Sequence, residues 1–500
     1  MSQTDSFVIK GLAGKKTLHG EVCIKGAKNA ILKAMATSIL FEEAIKLENV
    51  SDTADVEKMK DLLRGLGASA DTSFGSAAGG RGEPSGRELG LGNRGIARRK
   101  NVFAGALSID SSKLSSTDLD PDISRSMRSS IVATGPILAR YGKVSFPSPG
   151  GCVIGDRPVD LFINNYKKMG ANVVEEDGMF NITASKGGLK GADIFFRVQT
   201  VTGTETLMMA AVLAKGTTTL RNCAMEPEIQ SVAEWLNECG AKIEGAGTTT
   251  ITIHGLLDKD LSVRTSLDEA WKKSGKLLKA KKPYIAIPDR IEAASFLFLG
   301  ALCADDLLVS KCEPKHLESV TNFLSSSGVL LEIKKDSIHV KGNANASIDK
   351  KNSSLKINSF FKSANIRTHE YPGFPTDLQP IAAVFLSQVT GESIIFETIF
   401  EGRFKYVDDL NKLGANIKVM NPREVLITGP TLYKALPAGQ ELMAHDIRAG
   451  FAIVLAALCA EGNSVIKNVH LIDRGYESLE KTLTMLEADV RRVHGEEVSD

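Results

Sequence analysis

One pattern of apolar and polar residues recurs along the chain. An alanine-rich apolar stretch is followed by a small or acidic turn, a β-branched stretch, and a second stretch with apolar residues at helical spacing. The clearest copy runs from residues 449–460 through 464–468 to 476–486. These periodicities predict a buried helix, a strand and an amphipathic helix in each copy.

Each copy ends on the pattern Leu-x-x-x-Gly-Ala or a close variant, with Tyr166 in place of the leucine in the second copy. Glycine suits this position because it enters the left-handed conformation that ends many helices without strain. The last copy has Glu-Ala in place of Gly-Ala. The six endings put this position at Gly67, Gly170, Gly240, Gly328, Gly414 and Glu487.

Six copies of a unit with two helices and several short strands indicate an α/β protein. One unit buries little apolar surface alone, so the units must share cores, and we expect two groups of three. Three segments break the pattern and are predicted to be peripheral: residues 72–100, 256–282 and 342–363. The first, rich in Gly and Arg, lacks apolar periodicity, and we prefer a disordered insertion to a nucleic-acid-binding arm.

The overall charge excludes some partners. Lys and Arg number 61 against 60 for Asp and Glu, so no net field favours nucleic acid or a membrane surface. Any anionic substrate must be met by locally placed cations. The seven cysteines form no disulfide pattern, residues 1–5 do not begin a signal peptide, and the apolar run 451–460 is too short to span a membrane. We expect a cytoplasmic protein, and no metal-ligand spacing is present.

A candidate reactive site lies between residues 148 and 160. Cys152 follows two glycines, and Arg157 stands five residues further on. Glycines give the backbone the freedom that a mobile lid requires. A thiol near a guanidinium ionises more easily and becomes a usable nucleophile or proton donor. From these residues alone, a surface loop with an ordinary cysteine is an equal alternative.

Polar residues also stand at the predicted starts of helices in other units. A helix start attracts phosphate and carboxylate groups. Asp377 and Asp446 taken singly are more simply explained as ordinary N-caps. Cations at equivalent ends of different units would, if they converge, form a pocket for a small and highly charged anion. The residues concerned are Lys28, Asn29, Arg128, Asp377, Asp446, Arg448 and Arg474.

Eight motifs stand in a fixed order along nearly the whole chain outside the three insertions. They are Gly26-Ala-Lys-Asn-Ala, Met127-Arg-Ser-Ser-Ile, Pro149-Gly-Gly-Cys-Val-Ile-Gly-Asp-Arg-Pro-Val-Asp, Met225-Glu-Pro-Glu-Ile, Ile287-Pro-Asp-Arg-Ile-Glu, Phe374-Pro-Thr-Asp, Ile399-Phe-Glu-Gly-Arg-Phe and Ile472-Asp-Arg-Gly-Tyr-Glu. In this order they resemble the UDP-N-acetylglucosamine 1-carboxyvinyltransferase family. The related enolpyruvyl transferase of the shikimate pathway lacks the cysteine motif.

The resemblance implies a two-domain inside-out α/β barrel, with three βαβαββ units in each domain. One domain would be discontinuous and comprise residues 1–27 and 284–500. The other would comprise residues 28–283 and carry the cysteine loop. The substrates would bind in the cleft between them, under that loop.

The resemblance also implies a reaction. The enolpyruvyl group of phosphoenolpyruvate moves to the 3-hydroxyl of UDP-N-acetylglucosamine by addition and elimination of phosphate, the first committed step of peptidoglycan precursor synthesis. These two substrates are the implied partners, and no cofactor, metal, nucleic acid or membrane is implied.

The family's residue roles carry over to matching positions of this chain. Cys152 is the implied proton donor and the target of fosfomycin, Asp377 the implied base at the sugar hydroxyl, and Lys28 and Arg474 are further implied catalytic residues. The implied substrate-binding residues are Lys28, Asn29, Arg128, Arg157, Pro158, Val159, Asp160, Leu161, Thr200, Thr202, Ile399, Arg403, Asp446 and Arg448.

The chain departs from the family pattern at the nucleotide end. The stretch from Thr200 reads Thr-Val-Thr-Gly-Thr where Ser-Val-Gly-Ala-Thr is frequent, and Val198, Phe162 and Val132 replace a lysine, a histidine and an aromatic residue. Two alternatives therefore stay open. One is enolpyruvyl transfer to another nucleotide sugar or to shikimate 3-phosphate. The other is a non-catalytic paralogue that binds nucleotide sugar, although the four implied catalytic residues are all present.

Overall fold

The computed structural model describes residues 5–73, 105–148, 159–257, 267–274, 276–342 and 361–495. The α-helices in these ranges are α1 (Lys28–Thr37), α2 (Ala54–Gly65), α3 (Pro121–Ser126), α4 (Thr134–Tyr141), α5 (Asp160–Lys168), α6 (Val201–Val212), α7 (Pro227–Glu238), α8 (Leu267–Ser274), α9 (Arg290–Cys303), α10 (Glu318–Ser326), α11 (Gln379–Ser387), α12 (Tyr406–Lys412), α13 (Ile447–Cys459) and α14 (Leu479–Met485).

The strands in the same ranges are β1 (Ser6–Lys10), β2 (Leu18–Cys23), β3 (Ile45–Val50), β4 (Ser69–Ser73), β5 (Gly105–Asp110), β6 (Lys143–Pro147), β7 (Ala171–Glu176), β8 (Met179–Ala184), β9 (Asp193–Phe195), β10 (Thr217–Arg221), β11 (Ile243–Glu244), β12 (Thr250–His254), β13 (Tyr284–Ile285), β14 (Ala304–Ser310), β15 (Leu330–Ile333), β16 (Ser337–Lys341), β17 (Ile366–Arg367), β18 (Gly391–Phe396), β19 (Ile417–Asn421), β20 (Glu424–Gly429), β21 (Leu442–Met443), β22 (Asn463–Lys467) and β23 (Val490–Val493). Short 3-10 turns precede α4, α10 and α11.

The described strands form six small sheets, one for each predicted unit. Three have the orders β13-β3-β5-β4, β6-β8-β7 and β11-β12-β10-β9, and three have the orders β15-β16-β14-β2, β17-β18-β20-β19 and β21-β22-β1-β23. Most neighbouring strands are antiparallel, and the short strands β9, β13, β17 and β21 each pair in parallel. Strand β1 begins the chain yet pairs with β22 and β23, so the two ends of the chain share one sheet.

The alanine-rich helices lie inside and the sheets lie outside. Helix α4 packs on α6, while α9, α11 and α13 pack on one another. Every residue of α13 after Ile447 is buried, and a helix that is apolar all round must be covered on all sides. Strand β10 alternates exposed and buried positions, as expected when one face of a sheet covers helices and the other meets water. Helices inside and sheets outside are what the predicted inside-out α/β arrangement requires, so this prediction is confirmed.

Buried apolar residues form two separate cores. One contains residues from Ala27 to Ala286. The other combines residues 7–24 with residues 291–490. These cores support the proposed division into a continuous domain (28–283) and a discontinuous domain (1–27 and 284–500), although Tyr284 and Ala286 pack with the continuous one. The two connections run side by side, and the Asp289 N–H donates to the Lys25 carbonyl at 2.9 Å.

All six predicted helix endings adopt the left-handed conformation. The φ angles of the five glycines lie between 87° at Gly170 and 113° at Gly240, and Glu487 takes φ 70°. At Gly414 a side chain would also collide with backbone, because a Cβ there would lie 2.5 Å from the Leu432 carbonyl oxygen. The prediction from the Leu-x-x-x-Gly pattern is confirmed.

The prediction that residues 256–282 are peripheral is wrong. Trp271 is fully buried and Leu278 nearly so, and both belong to the core of the continuous domain. Asp268 accepts a hydrogen bond at 2.9 Å from Nε of Arg140, a fully buried guanidinium that also donates to four backbone carbonyls. The many lysines of this segment made it look peripheral in sequence. Lysines such as Lys272 lie on its exposed side, while Trp271 packs in the core.

The other two insertions lie mainly outside the described residues. Phe361, at the end of the segment 342–363, is buried against Phe385, so that end is not peripheral either. Thr72 and Ser73 complete β4, and residues 74–100 lie outside the described ranges. No helix in the described part of the chain is long and apolar enough to cross a membrane.

Candidate active site

Lys28 and Arg474 come from different domains and share one buried carboxylate, Asp55. Lys28 Nζ lies 2.9 Å from Asp55 Oδ2, and Arg474 Nε lies 2.8 Å from Asp55 Oδ1. Lys28 begins α1, Asp55 lies in the first turn of α2, and Arg474 precedes α14. Burial raises the pKa of Asp55, but the charges of the two cations outweigh it and hold that pKa below its usual value. The structure therefore brings these two predicted site residues together.

A second cluster surrounds Asp377 in the discontinuous domain. Arg403 Nη2 donates to Asp377 Oδ1 at 2.9 Å, and Arg448 Nε lies 3.7 Å from Asp377 Oδ2. Arg403 also donates to Thr376 Oγ1 at 2.7 Å, and Thr376 donates to Glu397 Oε2 at 2.8 Å. The carboxylate is thus held in place from one side while its side chain stays 34 % exposed.

Two donors in this second cluster lack partners. Arg403 Nε and Arg448 Nη1 are buried and donate to no acceptor among the described residues. A buried charged donor left unpaired is costly, and a guanidinium matches carboxylate and phosphate groups well. Arg448 also packs over the Tyr476 ring, with 5.0 Å between Cζ and the ring centroid. The two orphaned donors fit an anionic ligand at this point.

Asp377 and Asp446, which have similar sequence contexts, have different roles in the structure. Asp446 is an N-cap, since its Oδ1 accepts from the N–H groups of Arg448 at 2.7 Å and Ala449 at 3.0 Å. Asp377 caps no helix, because no side-chain hydrogen bond caps the 3-10 turn or α11 there. The capping explanation therefore holds for Asp446 and fails for Asp377.

The two clusters adjoin one another. A Cβ on Gly475 would lie 2.6 Å from the Ile447 side chain and 3.7 Å from Arg448 Nη1, so the segment after Arg474 lies directly against the start of α13. A cavity of about 230 Å³ opens beside Arg403 of the second cluster. Its polar lining residues are Arg403, Lys405, His445, Asp446 and Asn468.

The two stretches predicted to bind the nucleotide also lie side by side. Thr200 caps α6 by accepting from the Gly203 N–H at 3.1 Å, with Thr202 in the first turn. A Cβ on Gly203 would lie 2.7 Å from Leu161 Cδ2, which places Leu161 on this turn. Asp160 begins α5 on the surface. Val159, just before it, is buried.

Two of the departures from the family pattern lie away from any site surface. Phe162 and Val132 are buried in the core of the continuous domain. Val198, by contrast, is 65 % exposed just before the Thr200 turn. The departure at the nucleotide end is therefore concentrated at Val198 and the two threonines.

Three of the remaining predicted residues are half-buried. Asn29 is half-buried at the start of α1, and Arg128 is half-buried at the start of the 3-10 turn before α4. Ile399 is half-buried, and its N–H donates to Glu397 Oε1 at 2.8 Å. Cys152, Arg157 and Pro158 lie outside the described residues.

Sequence reasoning missed Asp55. Its context, Ser51-Asp-Thr-Ala-Asp55, contains two acids at a helix start, where either is an ordinary first-turn residue. The one available signal was that Asp55 shares a helix face with Met59 and Leu62, which are buried.

Among the described residues, no group of three or more His, Cys, Asp or Glu side chains is arranged to hold a metal ion.

Comparison with known proteins identifies the class. A family model described as EPSP synthase (3-phosphoshikimate 1-carboxyvinyltransferase) matches residues 12–99 and 87–483. The enolpyruvyl transferase NikO from Streptomyces tendae has the same fold, with a TM-score of 0.76 at 20 % identity over 98 % of this chain and 99 % of that one. EPSP synthase from Acinetobacter baumannii follows with a TM-score of 0.62 at 15 % identity, over 98 % and 100 % of the two chains. The fold is that of the enolpyruvyl transferases.

Relatives in sequence narrow this class further. The UDP-N-acetylglucosamine 1-carboxyvinyltransferase of Desulforapulum autotrophicum is 39 % identical over 482 residues, covering 96 % of this chain and 99 % of the relative. The protein of the same name from Campylobacter fetus subsp. fetus is 38 % identical over 489 residues, covering 98 % and 99 %. The chain belongs to the UDP-N-acetylglucosamine 1-carboxyvinyltransferase family.

Proposed function

We propose that this chain transfers the enolpyruvyl group of phosphoenolpyruvate to the 3-hydroxyl of UDP-N-acetylglucosamine, with release of phosphate. The observation that carries the proposal is the convergence of Lys28 and Arg474, from two domains, on Asp55 beside the Asp377 cluster. Such a set of fixed cations suits a small substrate that carries both phosphate and carboxylate. The acceptor is inferred from the relatives' shared name. In a cell this reaction would be the first committed step of peptidoglycan precursor synthesis.

The reaction delivers one proton to phosphoenolpyruvate and removes two. The methylene carbon gains a proton while the sugar hydroxyl gives up its own and its oxygen attacks the neighbouring carbon. The tetrahedral intermediate then loses phosphate, and its new methyl group loses a proton. We assign the donor role to Cys152 and the base role to Asp377. Asp377 suits its role because Arg403 orients it and it stays partly exposed. A well-placed acid or base contributes about 10²–10⁴-fold in rate.

Cations would carry the charge of the substrate and of the intermediate. Lys28, Arg128, Arg157 and Arg474 are proposed to hold the phosphate, while the orphaned donors of Arg403 and Arg448 fit a carboxylate. Fixed cations stabilise the developing charge without reorganising during the reaction. Asn29, Asp446 and Ile399 are proposed to lie on the sugar side.

The nucleotide is proposed to bind where the segment 158–161 meets the Thr200 turn. Leu161 packs on that turn, and Thr200 and Thr202 flank the N-terminus of α6, which favours an anionic diphosphate. Val198 offers an exposed apolar surface instead of a charge.

A coupled phosphate-release assay tests the proposal. The protein with phosphoenolpyruvate and UDP-N-acetylglucosamine should release phosphate, and exchanging the acceptor for shikimate 3-phosphate should abolish release. Release only with shikimate 3-phosphate would establish the alternative acceptor. No release with any acceptor at high protein concentration would favour the non-catalytic paralogue.

Covalent labelling tests the role of the thiol. Fosfomycin should alkylate Cys152, and peptide mass spectrometry should locate the adduct there. The six cysteines that the structure describes carry free thiols, and five of them are buried, so Cys23 is the internal control. An adduct on Cys23 instead of Cys152 would remove the assignment. Free thiols also suit the cytoplasmic location that forms part of this proposal.

A further inference from the structure

Arg290 joins the two domains at a point that the proposed reaction does not use. It is the first residue of α9 in the discontinuous domain, and its Nε donates to Glu228 of α7 in the continuous domain. The distances to the two carboxylate oxygens are 3.2 and 3.5 Å, and the side chains are 10 % and 5 % exposed. Breaking such a buried pair leaves an uncompensated charge, so the contact fixes the two helices against each other.

The same guanidinium contacts the turn that leads into the segment of Asp377. Its Cζ lies 5.4 Å from the ring centroid of Tyr371, within the range of a cation–π contact. Tyr371 lies within a turn that runs from His369 to Phe374, where the His369 N–H donates to the Phe374 carbonyl at 2.9 Å. Asp377 follows three residues later in the next 3-10 turn and is bound there by Arg403.

The electrostatics agree with this geometry. Burial lowers the pKa of Arg290, but Glu228, Glu226, Asp289 and Asp377 outweigh it and raise that pKa above its usual value. Asp377 is therefore close enough for its charge to act on Arg290. Glu226 is buried beside them: burial raises its pKa, while Arg290 and a hydrogen bond from the Tyr371 backbone lower it, so the continuous domain also contacts the backbone of this turn.

We propose that Arg290 is a positioning residue for Asp377. Glu228 holds the guanidinium and the guanidinium holds Tyr371, so contact with the opposite domain supports the turn that leads to Asp377, while Arg403 and Arg448 hold the carboxylate itself. The inference rests on the proposed function, in which Asp377 is the base. Arg290 contacts no substrate group in this account, and binding of phosphoenolpyruvate depends on the other cations.

Paired substitutions at Tyr371 separate positioning from bulk stability. Tyr371→Leu removes the ring from the guanidinium, whereas Tyr371→Phe keeps it. Tyr371→Leu and Glu228→Gln should each lower kcat about 10- to 100-fold, because a small displacement of a reacting group costs this much. Tyr371→Phe should retain most of kcat. The KM for phosphoenolpyruvate should change by no more than about twofold in all three, since ground-state binding is untouched.

The double variant gives a second readout. Because both single changes act through Arg290, Tyr371→Leu combined with Glu228→Gln should be little worse than the poorer single variant. The proposal would be overturned if the two losses in kcat multiplied in the double variant. It would also be overturned if the substitutions affected only KM. Equal losses in Tyr371→Phe and Tyr371→Leu would contradict it as well. Tyr371 is half-buried, so its variants are expected to fold even if Glu228→Gln does not.

Hydrogen–deuterium exchange keeps this inference separate from the proposed function. Peptides covering residues 368–378 should exchange faster in Tyr371→Leu and Glu228→Gln than in the wild type and in Tyr371→Phe. If the wild type releases no phosphate, the proposed function fails, and this exchange difference still decides whether Arg290 holds the turn. Unchanged exchange in both variants would refute the positioning role whatever the activity.

Discussion

At the scale of the residue, Asp55 is the group on which the proposed anion site depends. It is 2 % exposed and neutralises two cations that approach from different domains. Without it, Lys28 and Arg474 would repel each other at the point where both are needed. An acid inside a cationic pocket therefore keeps the pocket assembled before any anion arrives.

Asp55→Asn should weaken both stability and activity. Loss of the charge removes the carboxylate that Lys28 and Arg474 share, which costs about 3 kcal/mol in free energy of unfolding. We expect kcat/KM for phosphoenolpyruvate to fall at least about tenfold, because the cations no longer share one location. Urea unfolding and steady-state kinetics measure the two effects.

Asp52→Asn is the matched control. Asp52 lies three residues earlier at an exposed position, and burial of part of its carboxyl and the charge of Glu477 raise its pKa. Loss of its charge should therefore raise the free energy of unfolding, by no more than about 0.5 kcal/mol. Equal effects of the two substitutions would show that Asp55 has no special role.

The residue scale also shows where sequence reasoning ends. Asp377 and Asp446 each precede an apolar helix, and no local signal tells a cap from a carboxylate bound by guanidinium groups. The difference arises from Arg403, which lies 26 residues away from Asp377 in sequence. Such contacts depend on packing between units, which a local pattern does not encode.

At the scale of the element, α8 packs against α4 in the core of the continuous domain. Trp271→Ala should reduce the free energy of unfolding by about 3–5 kcal/mol, because it removes a fully buried ring and leaves a cavity. Thermal and urea unfolding measure the loss. Lys272→Ala, on the exposed side of the same helix, should cost less than about 0.5 kcal/mol. A small effect of Trp271→Ala would restore the peripheral interpretation of this insertion.

Helices α1 and α6 are joined by a buried pair whose charge state depends on pH. Glu205 lies 3.2 Å from Lys33, and both are buried. Burial raises the pKa of Glu205 from 4.5 to about 7, although Lys33 opposes the shift. The folded protein therefore retains a proton that the unfolded chain loses. The free energy of unfolding should fall as pH rises from about 4.5 to about 7, by on the order of 3 kcal/mol.

Glu205→Gln isolates this effect. The difference in unfolding free energy between pH 5 and pH 7.5, measured with urea, should be smaller in Glu205→Gln than in the wild type. Glu234→Gln, at an exposed position, should leave the difference unchanged. A wild-type protein that gains stability over this window relative to Glu205→Gln would contradict the assignment.

At the scale of the whole molecule, the architecture follows from the repeat. The closing Leu-x-x-x-Gly pattern predicts where six second helices end, and all six positions take positive φ, even where Glu487 replaces glycine. The sequence pattern predicts these helix ends correctly because each end depends on only a few neighbouring residues. It failed for 256–282, where charged lysines on one face concealed the buried Trp271 on the other.

Contacts between the two domains were the part that the sequence could not supply. Asp55 meets Arg474, Glu228 meets Arg290, and the Ala54 N–H donates to the Asp473 carbonyl at 3.0 Å. Each contact joins residues that are far apart in the chain, and none of them produces a periodic pattern in the sequence. Several contacts of the proposed site therefore form only when the two domains pack against each other.

The identity of the product tests the central claim most directly. After incubation with phosphoenolpyruvate and UDP-N-acetylglucosamine, mass spectrometry and NMR should show the nucleotide sugar carrying one enolpyruvyl group on its 3-oxygen, with one phosphate released for each. An unmodified nucleotide sugar, in a reaction where shikimate 3-phosphate does acquire the group or where no acceptor does, would contradict the account.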